Sequence, residues 1–277
     1  MIGKSQVFLN SLNLIRKISN SDVPVLIEGE TGTGKELAAR AIHAASTRRG
    51  ASFVPLNCGT TSDVQLESEL FGGIDGTDAE AGEHQGGSDE VDALTPKAQA
   101  VLLRFLQNQQ RSFAGGQADG ATDIRIIAAS NKGLAALVSN GTFRQDLYYR
   151  LTQMHLNLPP LRQRQGDVVL LAEHFLRKCA VRYGEVKQLD QATKAWLEEY
   201  SWPGNIRELE DMINREYLIA DRLLIHIQSP LASNKERRKQ ADRRHANITA
   251  LSFNQAKSRA ISEFECNYLE AILTATQ

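Results

Sequence analysis

The sequence predicts an α/β fold in which helices cover both faces of a parallel sheet, followed by a small all-helical unit. The first observation is that strand-like and helix-like segments alternate up to about Leu158, as they do in chains that build parallel sheets. The second is that strand-like runs stop after Pro159 and Pro160, beyond which amphipathic helical stretches follow one another. A chain of 277 residues is long enough for one large domain or two smaller ones.

Short apolar runs predict the strands, and apolar residues at helical spacing predict the helices. The strand candidates are residues 23–28, 53–58, 123–130 and 154–158. The helix candidates are residues 36–45, 62–71, 95–107, 142–151, 167–183, 190–200 and 205–220. Thr142 and Gln145 have the spacing of a capping box, which places the start of the 142–151 helix.

The composition is that of a globular protein of a reducing compartment. The hydrophobic content is 42% and the net charge is −1, so no overall positive field indicates nucleic acid. The three cysteines are odd in number and far apart, which argues against a disulfide framework. The sequence contains no apolar run long enough to cross a bilayer, and we expect no signal peptide ahead of the first strand. We therefore expect a cytoplasmic protein without a membrane partner.

Residues 29–36 read GETGTGKE and match the phosphate-binding loop pattern G-x-x-x-x-G-K. Glycines let successive N–H groups turn toward an anion, and the helix that follows adds its positive end. A strand candidate precedes the loop and a helix candidate follows it, as the motif requires; a chance glycine turn is the alternative. The residues predicted to hold the phosphates of ATP are Gly29, Glu30, Thr31, Gly32, Thr33, Gly34, Lys35 and Glu36.

Further motifs follow in order along the chain. They are LNCGTTSDVQLESELFG at 56–72, DIRIIAASN at 123–131, GTFRQDLYYRL at 141–151, LPPLRQRQGDV at 158–168 and WPGNIRELE at 202–210. With GETGTGKE they make the chain closely resemble the central AAA+ domain of bacterial enhancer-binding proteins. Proteins of that family activate transcription together with sigma-54 RNA polymerase.

The resemblance implies a domain order. Residues 1–158 would form the AAA+ α/β nucleotide-binding subdomain and residues 159–228 the helical lid. Residues 229–250 would be a charged linker, with a basic arm near DNA as the alternative, and residues 251–277 the first helix of a Fis-like DNA-binding domain. The helix-turn-helix that contacts DNA would lie beyond Gln277 and a receiver or sensor domain before Met1, so the chain is expected to be a central segment.

The resemblance also implies roles for side chains outside the loop. Asn57 matches the polar residue that links the catalytic carboxylate to the state of the oligomer, and Asn131 matches sensor I. Arg144 and Arg150 match the arginine fingers that reach a neighbouring subunit, and Arg207 matches sensor II. A planar guanidinium suits the charge that develops on a transferred phosphoryl group. The alternative is that these arginines form ordinary surface pairs, for example Arg144 with Asp146.

Two departures from the family pattern bear on function. The GAFTGA loop, with which the family contacts sigma-54, does not occur in the sequence. The Walker B strand, GGTLFLDE in the family, is reduced to GGSDE at residues 86–90, which keeps Asp89 for Mg²⁺ and Glu90 for the attacking water. A glycine-rich polar run is a poor central strand, so residues 78–92 could instead be an acidic surface loop. Glu36 also replaces the Ser or Thr that usually ligates Mg²⁺, so we expect weak or lost hydrolysis and doubtful Mg²⁺ binding.

These observations lead to one expectation with two alternatives. The expectation is an ATP-binding transcription regulator that works by nucleotide-gated oligomerisation, as a dimer up to a hexameric ring, with RNA polymerase as partner. The first alternative is an active ATPase motor of a sigma-54-dependent activator. The second is a DNA-binding regulator that responds to cyclic di-GMP.

Overall fold

The apolar strand candidates form a five-stranded parallel sheet in the computed structural model. The structure describes residues 1–71, 84–113, 124–220 and 223–227, with the backbone alone at 84–89 and 110–113. The predicted linker at 229–250 and the predicted helix at 251–277 lie outside these residues. The strands are β1 (Val25–Glu28), β2 (Ser52–Asn57), β3 (His84–Asp89), β4 (Ile124–Ser130) and β5 (Met154–Asn157), in the order β2-β3-β4-β1-β5.

Helices cover both faces of this sheet. They are α1 (Gln6–Ser19), α2 (Lys35–Ala44), α3 (Asp63–Phe71), α4 (Pro96–Phe113), α5 (Leu134–Ser139) and α6 (Gln145–Leu151). Neighbouring residues of a strand point to opposite faces. Leu26 of β1 accordingly packs with α3, α4 and α6, whereas Val25 and Ile27 pack with α1 and α2. The predicted α/β architecture is confirmed, although α1 and α5 were not predicted.

The second unit contains the predicted helices α7 (Asp167–Tyr183), α8 (Gln191–Glu199) and α9 (Asn205–Ile219). A pair of parallel two-residue strands, β6 (Gln188–Leu189) and β7 (Leu224–Ile225), was not predicted. Trp202 is fully buried between α8 and α9, and its Nε1 donates to the carbonyl of Leu197 at 2.9 Å. We refer to residues 162–225 as the lid.

Strand β3 corrects the interpretation of residues 78–92 as an acidic surface loop for residues 84–89, while residues 78–83 lie outside the described residues. The polar run His84–Asp89 lies inside the sheet, where it pairs in parallel with β2 on one side and β4 on the other. Strand preference depends strongly on context, and backbone pairing with a strand on each side outweighs the poor propensity of Gly86 and Gly87. The end of this strand therefore points to the same edge of the sheet as the ends of β1 and β4.

The predicted capping box was placed at the wrong helix. Helix α6 begins at Gln145 with Arg144 as N-cap, and the Thr142 hydroxyl donates to the Leu137 carbonyl at 3.1 Å. Ser62 and Gln65 form the reciprocal pair instead, at the start of α3. The Gln65 N–H donates to Ser62 Oγ at 3.3 Å, and the Ser62 N–H donates to Gln65 Oε1 at 3.1 Å.

A buried ion pair joins the N-terminal residues to the start of the lid. Arg164 Nε and Asp167 Oδ2 are 3.0 Å apart, and the two side chains are 2% and 0% exposed. Asp167 also accepts from the Lys4 and Ser5 N–H groups and from the Ser5 hydroxyl, at 2.6, 3.0 and 2.8 Å. The Arg164 guanidinium lies 3.7 Å from the centre of the Phe8 ring. Helix α1 and the first turn of α7 are thus held together.

Within the part of the chain that the structure describes, no helix has the length and apolar character needed to cross a bilayer.

Candidate functional site

The loop between β1 and α2 has the backbone conformation that phosphate binding needs. Gly32 and Gly34 have φ values of +80° and +95°, a region that residues with a Cβ rarely adopt. Gly34 stands directly before α2, whose first-turn N–H groups have no acceptor within the helix. The loop therefore places a helix N-terminus and two glycines with positive φ at the carboxyl edge of the sheet, which fits a nucleotide phosphate.

Lys35 is the charged group of this loop and is only 7% exposed. Its Nζ donates to the carbonyls of Gly29 and Glu30 at 2.9 and 3.1 Å. It also donates to Asn131 Oδ1 at 2.6 Å. Because an ammonium has three N–H bonds, these acceptors hold it in one orientation at the end of β1 and β4.

Asn131 joins Lys35 to Glu90. While its Oδ1 accepts from Lys35, its Nδ2 donates to Glu90 Oε1 at 3.0 Å. Asp92, which the sequence analysis did not select, fixes this residue: Asp92 Oδ1 accepts from the Asn131 N–H at 3.2 Å and from the Ser130 hydroxyl at 3.1 Å. The only sequence signal for Asp92 is its position just after the Asp-Glu pair that ends β3.

Asn57 lies at the same edge, at the end of β2. Its Oδ1 accepts from the Gly59 N–H at 2.9 Å. A Cβ placed on Gly59 would lie 3.0 Å from Glu90 Oε2 and 3.2 Å from Asn57 Oδ1. The structure thus brings Asn57, Glu90, Asn131 and Lys35 together, although residues 57 and 131 are far apart in the sequence.

The start of α9 covers the loop from the lid side. The Ile206 N–H donates to the Gly32 carbonyl at 3.0 Å. A Cβ on Gly32 would overlap the carbonyl oxygen of Gly204 and would lie 3.2 Å from Cβ of Arg207. Arg207, an exposed residue, therefore stands beside the glycine loop at residues 29–36.

Glu30 of the loop binds residues that follow the sheet. Its carboxylate accepts from Arg162 Nη1 and Nη2 at 2.7 and 2.5 Å, and from Asn205 Nδ2 at 3.1 Å. These hydrogen bonds, first from Arg162 and then from Asn205, lower the pKa of Glu30 to about 2. The sequence analysis missed Arg162 and Asn205; both lie in the family motifs but carry no local signal of a contact with residue 30.

Two other predicted site residues, Glu36 and Arg144, form ion pairs with neighbours in the sequence. The Glu36 carboxylate accepts from Arg40, one turn further along α2, at 3.1 and 2.9 Å, and its side chain is 61% exposed. Arg144 donates to Asp146 at 3.0 and 2.7 Å, and this hydrogen bond raises the pKa of Arg144. Arg150 lies in the last turn of α6, the helix that Arg144 precedes as N-cap. The Asp89 side chain is outside the described residues, so its role in binding Mg²⁺ stays a prediction.

A cavity of about 390 Å³ opens beside the loop. Its polar lining includes Glu30, Asn131, Lys132, Asn157 and Arg162. Small-molecule sites typically enclose about 300–1,000 Å³, so the volume of this cavity beside the glycine loop lies within the range of such sites.

The chain matches two family models. Residues 1–157 match the sigma-54 interaction domain, and residues 162–247 match an AAA+ ATPase lid domain. The chain is 41% identical over 254 residues to the Nif-specific regulatory protein of Enterobacter agglomerans, covering 85% of this chain and 49% of that protein. It is 43% identical over 231 residues to the transcriptional regulatory protein ZraR of Salmonella typhimurium, covering 79% and 52%. The chain thus spans about half the length of these curated relatives.

Among solved structures, NtrX from Brucella abortus in complex with ADP superposes with a TM-score of 0.72 and 30% identity. This match covers 98% of the chain and 62% of NtrX. The same protein in complex with ATP gives a TM-score of 0.71 and 29% identity, with the same coverage. The sigma-54 interaction domain model matches more than half of the length of this chain. The chain therefore belongs to the sigma-54 interaction domain family of AAA+ proteins.

Proposed function

We propose that this chain binds ATP through residues 29–36 and takes part in transcription regulation by nucleotide-gated oligomerisation, without remodelling sigma-54 polymerase. The observation that carries the proposal is the connected set Lys35, Asn131 and Glu90 beside a glycine loop in phosphate-binding conformation. NtrX, a structural neighbour with 30% identity, has been solved with ADP and with ATP, which supports the choice of an adenine nucleotide.

Four residues at or near the loop would have defined tasks in nucleotide binding. Lys35 would exchange its bonds to the Gly29 and Glu30 carbonyls for phosphate oxygens, which makes charge-assisted and hence stronger hydrogen bonds. Asn131, which is hydrogen-bonded to both Lys35 and Glu90, would hold these two side chains in fixed positions beside the terminal phosphate. Arg207, beside Gly32, would approach the same phosphates from the lid. Asp89 would help to hold Mg²⁺, an ion that shields phosphate charge.

The absence of GAFTGA from the sequence supports the second half of the proposal. In the family that the chain resembles, this loop transmits ATP turnover to sigma-54. Between Gly72 and Gly86 the sequence carries GIDGTDAEAGEHQ, which contains no Phe, Tyr or Trp, and its threonine, Thr77, follows a glycine and not an aromatic residue as in the contacting tip. Nucleotide binding would then serve assembly, with Arg144 and Arg150 reporting the phosphates of a neighbouring subunit.

A working ATPase motor is the second candidate, and one observation favours it. Strand β3 is formed despite its shortened sequence, and Glu90 at its end is hydrogen-bonded to Asn131. A general base must lie within hydrogen-bond reach of the water it activates, and Glu90 stands at the edge of the sheet where the phosphate loop ends. ATP turnover therefore decides between the two candidates.

The test measures ATP binding and hydrolysis on one sample. The proposal expects binding with little turnover, and loss of binding in Lys35→Ala by tens-fold or more, as expected from losing a charge-assisted bond worth about 2–3 kcal/mol. Lys97→Ala, an exposed lysine on α4, is the matched control. Unchanged binding in Lys35→Ala would refute the phosphate-loop assignment. Turnover of about 1 per second or more that is lost in Glu90→Gln would establish the motor instead.

A further inference from the structure

The side chain of Asn205 ties the lid to the phosphate loop. Its Nδ2 donates to Glu30 Oε2 at 3.1 Å and to the Thr31 carbonyl at 3.0 Å, both in the loop. Its Oδ1 accepts from the Leu161 N–H at 2.8 Å, in the segment that connects the sheet to the lid. The side-chain amide thus contacts both the loop and the connecting segment. Asn205 itself is the first residue of α9.

The backbone at this position explains why an asparagine occurs there. Asn205 has a φ of +54° and is fully buried. Asn tolerates this left-handed conformation better than most residues with a Cβ. A buried amide needs hydrogen-bond partners, and its three contacts supply them. The conformation and the contacts together hold the residue in one orientation.

These contacts also orient peptide planes of the loop. The Thr31 carbonyl and the Gly32 N–H belong to one planar trans peptide and point in opposite directions. Asn205 binds that carbonyl, and the Ile206 N–H binds the next one, the Gly32 carbonyl. The position of α9 consequently fixes the direction of the N–H groups of the loop. An anion bound in the loop would accept hydrogen bonds from these N–H groups.

Charge adds a second reason for the arrangement. Glu30 places a carboxylate inside a loop that would receive the negative charges of a nucleotide. Arg162 meets this carboxylate with two parallel hydrogen bonds, the strong bidentate geometry of guanidinium and carboxylate. Arg162 and Asn205 together keep Glu30 turned to the lid side.

We propose that Asn205 is a positioning residue: with Glu30 and Arg162 it forms a cluster, the Asn205 cluster, that couples the position of the lid to the conformation of the phosphate loop. The nucleotide part of this inference rests on the proposed function. When the lid moves away, the Thr31 and Gly32 carbonyls lose their donors and the loop loses its binding conformation. Nucleotide that holds the loop in this conformation in turn favours the closed lid.

Two substitutions of Asn205 distinguish the contribution of its side-chain amide from that of its left-handed backbone conformation. Asn205→Gly keeps the left-handed conformation but removes all side-chain contacts. Asn205→Asp keeps the acceptor for Leu161 but replaces the donor by a carboxylate that faces Glu30. Arg162→Gln, at an exposed position, is a third variant and removes the bidentate pair with Glu30. Arg215→Gln is the control, since Arg215 pairs with Glu216 on the exposed surface of α9.

The first readout is hydrogen exchange without nucleotide. The Asn205 variants should exchange faster than the wild type in residues 204–209 and also in the loop at 29–36, whereas strand β4 should be unchanged. Faster exchange confined to residues 204–209 would show a merely local role and overturn the coupling. Because no nucleotide is present, this result decides the inference even if the wild type fails to bind ATP, an outcome that would contradict only the proposed function.

The second readout is ADP affinity as a function of pH. Asn205→Asp should weaken binding about tenfold at about pH 8, since a buried donor is lost and two carboxylates repel. Between about pH 8 and about pH 5 the pair should take up a proton and regain a donor, so affinity recovers. Asn205→Gly should show no such recovery. Among the described residues, the charged groups around the site include Lys35, which donates to the Glu30 carbonyl, together with Glu30, Arg162, Arg207 and Glu208. Affinities in both variants equal to that of the wild type would refute the proposal.

Discussion

Gly32 shows how one hydrogen atom in place of a side chain permits the contact between loop and lid. Its positive φ and its closeness to the Gly204 carbonyl both exclude a Cβ. Gly141 has a similar φ of +71°, but among the described residues no atom lies within 4 Å of a Cβ built there. The two glycines therefore allow backbone strain to be separated from steric overlap.

We expect Gly32→Ala to weaken nucleotide binding and to destabilise the fold more than Gly141→Ala does. Both changes force a residue with a Cβ into the left-handed region, at about 1–2 kcal/mol, but only the first also pushes against the lid. Urea unfolding and ADP titration of the two variants measure the difference. Equal effects on stability and on ADP affinity would contradict the close approach of α9 to the loop.

Arg125 is a cation buried in the sheet, 2% exposed. Its Nη2 donates to the Ile18 carbonyl at 2.9 Å, while among the described residues its Nε and Nη1 have no hydrogen-bond partner. Burial lowers the pKa of this guanidinium. Arg164 is equally buried, but Asp167 and the Ile2 carbonyl accept its hydrogen bonds.

Arg125→Met should therefore change the free energy of unfolding by no more than about 1 kcal/mol and could increase it, because replacing a poorly paired buried charge by an apolar group is often neutral or stabilising. Arg164→Met should instead cost about 3–5 kcal/mol, since it leaves the Asp167 carboxylate buried without its cation. Urea unfolding of both variants provides the comparison. Similar large losses in both would show that Arg125 is satisfied by its surroundings.

Among the elements, the junction between the N-terminal residues and helix α7 depends most clearly on a charge. Burial alone would raise the pKa of Asp167, but hydrogen bonds from Lys4, Ser5 and Arg164 outweigh it, so the pKa is lowered. A lowered carboxyl pKa stabilises the fold above the pKa of the unfolded chain, about 3.9, and this stabilisation is lost as the pH falls through the folded value.

Asp167→Asn should accordingly destabilise the protein at neutral pH, and the difference from the wild type should shrink below about pH 4. Urea unfolding at both pH values checks this expectation. Ser5→Ala, which removes one of the four donors to the carboxylate, should give a smaller loss with the same dependence on pH. A difference that stays constant down to about pH 3 would mean that the ionised form of Asp167 is not the stabilising one.

The elements also show what a sequence can and cannot predict. Strands β1, β2, β4 and β5 were predicted because their apolar runs are typical of buried parallel strands. Strand β3 was missed because it is held in the sheet by pairing with β2 and β4. The residues of β3 themselves carry no local sequence pattern that encodes this pairing. The loop at residues 29–36 was predicted from its glycines and Lys35, whereas Asp92, Arg162 and Asn205 act through contacts with residues far away in the sequence.

At the scale of the whole molecule, Arg144 links the chain to other copies of itself in our proposal. Within one chain it is bound to Asp146 on the exposed surface. Exposed ion pairs contribute little to stability, so Arg144 can exchange this partner for a neighbour's phosphate at small cost.

ATP analogues should therefore shift the protein toward larger oligomers, and Arg144→Ala should abolish the shift, because a ligand stabilises the state that binds it better. Sedimentation velocity with and without a non-hydrolysable analogue measures the oligomer distribution. Arg177→Ala, an arginine on lid helix α7, is the matched control. An oligomer distribution that does not respond to nucleotide in the wild type would refute gating by ATP.

The chain should also fail to support sigma-54 transcription, even when joined to a DNA-binding domain. The reason is the missing GAFTGA sequence, since ATP turnover would have no loop to press on the polymerase. In vitro transcription with sigma-54 polymerase is the measurement, with an activator that carries GAFTGA as positive control. Abundant ATP-dependent transcript from this chain would show that another segment replaces the loop.

The aromatic residues around Trp202 provide an optical signal for the lid. The chain has two tryptophans, and both belong to this part: Trp196 stacks on Tyr200 at 5.2 Å between ring centres, and Trp202 meets Tyr200 edge-on at 4.9 Å. Trp202 stands three residues before Asn205 and is fully buried. Intrinsic tryptophan emission therefore arises from the lid alone, so an unlabelled sample reports any change in the packing of the lid, including one that follows from the coupling proposed for Asn205.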